Sequence, residues 1–115
     1  MHFANKQTTK QETTKSGNAI WRLLPEAIGV PSFELRYFEV PAGGHTSYGK
    51  HPWEHEVFVL EGQGTVKGRT LDGEAVAQAV GPGDAVFIAP NEEHQFVNDG
   101  DGALGFICVC PKGFE

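Results

Sequence analysis

HPWEHEVFVLEG, residues 51–62, and PNEEHQFVN, residues 90–98, decide the fold. Each reads as a β-strand with a turn at its edge. Side chains alternate between faces along a strand, so residues four apart share a face. On that reading His51 and His55 point the same way, and His94 arrives from a distant strand. Three convergent neutral imidazoles suit a first-row divalent metal and leave positions open for other ligands.

Outward from these segments the pattern stays β. AIWRLL (19–24) and SFELRYFEV (32–40) read as strands, with LPEAIGVPS between them as a loop that has room for one helical turn. GTVKGR and EAVAQAV flank LDG, and Asp-Gly is a strong hairpin signal. AVFIAP, HQFVN and ALGFICVC complete about eight strands, with a turn signal every eight to twelve residues. No stretch has the period of a long amphipathic helix. The fold class predicted is all-β, a sandwich or closed barrel. Residues 1–18 are polar and form an N-terminal arm, flexible or ordered against a partner subunit. Residues 19–115 form the barrel domain.

The chain has 115 residues, which bounds it to one domain, and its 15 glycines and 7 prolines favour turns over helices. Nine basic against fifteen acidic residues give a net charge of −6, which argues against nucleic-acid or anionic-membrane partners. MHFANKQTTKQETTK has no apolar core of a leader, and no apolar run approaches spanning length, so a cytoplasmic protein is expected. Cys108 and Cys110 lie one residue apart on one strand face. That spacing is neither a redox nor a zinc motif, and two free thiols are expected.

PAGGHTSYGKHPWEHEVFVLEGQG (41–64) followed by GPGDAVFIAPNEEHQFVN (81–98) resembles the two motifs of the cupin superfamily. The first cupin motif has two histidines and a glutamate before a closing glycine. Closing it at Gly62 puts the histidine slots at Gly49 and His51, and the glutamate slot at His55. In the second motif Gly83, Pro90, His94 and Asn98 fall in place. The resemblance implies a cupin-type double-stranded β-helix, a jelly-roll barrel with a metal inside. HPWEH also resembles a subgroup of small cupins in which histidine takes the glutamate slot. That resemblance implies an all-histidine site, here with His51, His55 and His94 and without the ligand lost at Gly49. One divalent transition metal per subunit follows, among Mn, Fe, Zn, Ni and Cu.

Other residues are read against these. His45 is a candidate fourth ligand, but Gly43, Gly44 and Gly49 make a bulge plausible and parity unreliable. Gly49 leaves room for a substrate or water. Glu54 and Glu56 have the wrong parity and face outward. Trp53 and Phe96 share parity with the histidines: Phe96 is expected to line the pocket, Trp53 either walls its mouth or simply packs beside Pro52, and Cys108 either faces it or packs in the core. Asn98 reads as a hydrogen-bonding residue at a strand end. Arg36 is either an anchor for a substrate carboxylate or, by preference, a salt-bridge partner of Glu34, Glu56 or another subunit.

The functional expectation is a metal-dependent enzyme acting on a small molecule, by dioxygenase-like or Lewis-acid isomerase or hydrolase chemistry. A non-catalytic metabolite- or metal-binding module competes with it, and so does a metal-free sugar epimerase or isomerase relative. A homodimer is expected, since a small jelly roll leaves apolar sheet faces and edges to cover.

Overall fold

In β4 (His55–Glu61), Val57 and Val59 are buried while Glu56, Phe58 and Leu60 are exposed. This is the period-two pattern of a strand with one face on a core. The same logic builds the rest of the protein, a computed structural model of which describes residues 1–113. The described strands are β1 (Gln11–Thr13), β2 (Ala19–Leu24), β3 (Phe33–Val40), β4, β5 (Gly64–Arg69), β6 (Ala75–Val80), β7 (Ala85–Ile88), β8 (Glu93–Val97) and β9 (Leu104–Pro111). The helical pieces among the described residues are two 3-10 turns, Lys6–Thr8 and Glu26–Ile28. The fold is all-β, and the expected barrel span ends two residues beyond the described ones.

Six strands form one sheet in the order β1-β2-β3-β9-β4-β7, and three form a second in the order β6-β5-β8. The pairs are antiparallel. An irregular segment lies alongside β8: Thr46 N donates to Phe96 O, Asn98 N to Gly44 O, and Gly49 and His94 exchange both backbone bonds. The bridges His45↔Val97 and Gly49↔His94 differ in register by one residue, so a bulge lies between them.

The sheets close on one core of Val40, Val57, Val59, Val66, Val80, Ile88, Phe96, Leu104, Phe106 and Cys108. Phe96 of β8 stacks on Phe106 of β9 at 4.7 Å, which ties the two sheets together. Both cysteines are buried and no disulfide joins them.

The described strands number nine where about eight were expected. The extra one is β1, within the polar N-terminal segment. Its residues are all exposed, so no alternation announces it. It pairs with β2 of its own chain, Gln11 opposite Trp21 and Thr13 opposite Ala19. Lys6 helps seat it: the ammonium lies 2.8 Å from Glu39 and 4.3 Å above the Trp21 ring.

Candidate metal centre

His55 begins β4 and His94 lies near the start of β8, each two residues ahead of a core side chain, Val57 and Phe96. That places both at the same end of the barrel. His51 is not in a strand, which corrects the parity argument. It precedes a bend at Pro52-Trp53, and the bend folds its ring back onto His55.

Three contacts fix that bend. His51 Nδ1 donates to Trp53 O at 2.8 Å. The Trp53 ring stacks on the His51 ring at 4.0 Å, with 9° between the planes. Asn91 N donates to His51 O at 2.7 Å. Asn91 has φ 69 and follows Pro90, the residue pair that a type II turn accepts at its centre.

His94 Nδ1 donates to Glu92 O at 2.8 Å. A carbonyl only accepts, so His51 and His94 both carry their proton on Nδ1 and leave Nε2 as a lone pair. The Nε2 atoms of His51 and His55 are 2.9 Å apart. The donor atoms of all three rings lie within 4.8 Å of one another, with no carboxylate in the group. Two nitrogens at right angles around an ion with bonds of about 2.1 Å would stand about 3 Å apart. The donor set and the closest spacing therefore fit a first-row divalent cation.

His51 and His55 are pushed towards the neutral form, which is the form that ligates. Burial, and then the positive charge of Arg36, push His55 down to about 3. His51 is lowered by burial and by His94, while its bond to the Trp53 carbonyl opposes the shift. Burial raises the Cys108 thiol, and Arg36 works against that.

A stability consequence follows for His55. In the unfolded chain its imidazole titrates near 6.5, and in the fold near 3. Between these values the unfolded chain binds more protons, so stability is full above about pH 6.5 and falls as pH drops towards 3. Urea unfolding from pH 7.5 to 4 should show this decline, shallower in His55→Gln. Identical slopes for the two proteins would refute it.

The remaining candidates separate. His45 is exposed and bonded to Thr46 O and Gln95, outside the three-histidine group, because the bulge after it breaks the parity with His51. Glu56 is exposed and outside the group, as is half-buried Glu54. Phe96 is 4% exposed and belongs to the core stack with Phe106. Asn98 is buried and holds loops by hydrogen bonds. Gly49 lies directly opposite His94, with nothing within 4 Å of where a Cβ would stand.

Arg36 pairs with neither Glu34 nor Glu56. It is buried at 5% exposure and makes no ion pair among the described residues. Glu34 is occupied elsewhere, accepting from Glu26 N and Gly113 N. Arg36 lies on the inner face of β3, with Nη2 3.2 Å from Cys108 Sγ and 3.5 Å from His55 Nδ1. Its Nε has no hydrogen-bond partner.

Sequence reasoning missed Gly68, which lies opposite His94 on the other side of β8 from Gly49. An isolated glycine inside the strand GTVKGR was the available signal, since it marks close backbone approach.

Residues 36–110 match the family described as Cupin domain. The chain is a cupin. Solved cupin-fold structures bear this out. The polyketide cyclase RemF from Streptomyces resistomycificus is 31% identical with a TM-score of 0.83, over 96% of this chain and 79% of that one. A cupin-2 domain protein from Rhodospirillum rubrum is 29% identical with a TM-score of 0.79, over 100% and 76%. A 1-methylthio-D-xylulose 5-phosphate methylsulfurylase from Rhodospirillum rubrum is 45% identical over 76 residues, 66% of this cupin and 46% of that enzyme. The cupin thus spans less than half the length of this relative.

Proposed function

We propose that this cupin is a metal-dependent enzyme acting on a small molecule, with one divalent transition ion held by His51, His55 and His94. The observation that carries the reading is the convergence of three imidazoles, two of them with Nε2 bared by a backbone carbonyl at Nδ1. Three protein ligands leave coordination positions for substrate or water. The ion, when bound, supplies Lewis acidity or, if it is iron, copper or manganese, redox chemistry.

The chain's own residues do the rest. Trp53 walls His51 on one side, and open space beside Gly49 leaves room next to His94. Arg36 is a buried cation without a carboxylate partner among the described residues. It would hold an anionic group of the substrate, since a guanidinium matches carboxylate or phosphate oxygens. The named substrate of the Rhodospirillum rubrum relative, 1-methylthio-D-xylulose 5-phosphate, is such an anion.

Elemental analysis tests this on protein purified without an affinity tag, beside a His51→Ala/His94→Ala double variant. About one ion per chain is expected in the wild type and close to none in the variant. No metal in the wild type, and no uptake of added zinc, iron or manganese, would sink the proposal and leave a metal-free binding barrel.

A further inference from the structure

His51 and His94 each have a backbone carbonyl at Nδ1, and His55 has none. Two groups meet its Nδ1: Cys108 Sγ at 3.1 Å and Arg36 Nη2 at 3.5 Å. For His55 Nε2 to face a shared cation as a lone pair, the ring proton must stand on Nδ1, and Nδ1 then needs an acceptor. A guanidinium has five N–H donors and accepts nothing, so its contact with Nδ1 serves only the tautomer whose ring proton stands on Nε2. A sulfur accepts.

We propose that Cys108 is the positioning residue of His55: its sulfur receives the Nδ1 proton of that ring and so turns Nε2, as a lone pair, towards His51 and His94. The inference rests on the metal reading above. The strand register makes it possible. Cys108 is paired with Arg36 across β3–β9 and with Val57 across β4–β9, so it lies diagonally beside His55 on the inner face. Arg36 donates to the same sulfur at 3.2 Å and holds it in place. Cys108 is 3% exposed, so bulk solvent has little access to the contact.

A thiol differs from a carbonyl in being able to donate as well. With the proton of His55 on Nε2, that atom donates to His51 Nε2 at 2.9 Å, and the Cys108 S–H turns to Nδ1. With the ring proton on Nδ1, the S–H rotates away and the sulfur accepts. The ring proton moves between its two nitrogens and the thiol keeps its own, so no net proton is taken up or released. His51 and His94 are locked as ligands by carbonyls, and His55 is the one ring free to change tautomer.

The test uses zinc alone as the probe, in competition with a chelator, on wild type, Cys108→Val and Cys108→Ser. Valine fills the space without accepting a proton, and serine keeps an acceptor. Cys108→Val is expected to weaken zinc binding by about 10- to 100-fold, the usual consequence of losing a partner behind a ligating histidine. Cys108→Ser should recover most of that loss. Spectra of ¹⁵N-histidine-labelled wild type with zinc should show the His55 proton on Nδ1, a readout that stands even if a variant fails to fold. Zinc on Nδ1 with the proton on Nε2, or unchanged affinity in Cys108→Val, would overturn the role of Cys108 and leave the metal site standing. A wild type that takes up no zinc would overturn both.

Discussion

Gly68→Ala is expected to destabilise the protein by about 3 kcal/mol or more and to weaken metal binding with it, an upper-range case of overpacking. Gly68 pairs with Val76 on one side and His94 on the other. A Cβ placed on it runs into the carbonyl of Glu93 and comes within 3.0 Å of His94 Cα. These are backbone atoms, so no side chain can swing aside. The methyl must push β8 away from β5, and that shift moves His94. Ligand geometry tolerates little displacement, and a loss of about tenfold or more in zinc affinity is expected. Gly49→Ala is the control. It lies opposite the same His94, and its Cβ would meet nothing within 4 Å. Its stability should change by less than about 1 kcal/mol. Chemical denaturation and zinc competition on both variants decide the matter. A Gly68→Ala protein as stable as Gly49→Ala would show that β5 and β8 have slack that the structure does not display.

The contrast between these two glycines shows what a sequence discloses. Strand positions were legible because each buried strand carries its own alternation, as in Val57 and Val59 against Glu56 and Phe58. The histidine trio was legible because motif spacing places His51, His55 and His94 together, and the structure gathers all three. The reason given for the His51–His55 pair was wrong in detail: a stacked tryptophan and a turn at Asn91 hold His51, not a strand. β1 escaped notice because a three-residue polar edge strand buries nothing and has no period to read. Arg36 reads from sequence as a substrate anchor or as a salt-bridge partner of Glu34, Glu56 or another subunit, because the sequence shows its charge and not what lies across the sheet. Its real neighbour, Cys108, is 72 residues away and reaches it only through the β3–β9 pairing. Pairing order between distant strands is a property of the closed barrel, and no local pattern encodes it.

Asn98 shows the fold and the site coming apart. It is 1% exposed and directly follows β8, four residues beyond His94. Its amide donates to Val40 O and Gly102 O at 2.8 Å each, and its Oδ1 accepts from Gly100 N at 3.0 Å. One side chain thereby satisfies the end of β3 and two points of the loop into β9. Asn98→Ala strands all three backbone groups and leaves a void. The expected loss is about 3 kcal/mol, since each unsatisfied buried group costs about 1–3 kcal/mol and the loop regains part of this from water. Asn98→Asp should be at least as damaging at pH 7. A carboxylate there can only accept, and it would face two carbonyl oxygens. Neither change touches the imidazoles, so zinc affinity of the folded protein should stay near that of the wild type. A denaturation midpoint that falls while zinc binding holds would place Asn98 in the scaffold alone. Parallel loss of both would mean that the β8–β9 loop and the His94 end of the strand move as one unit.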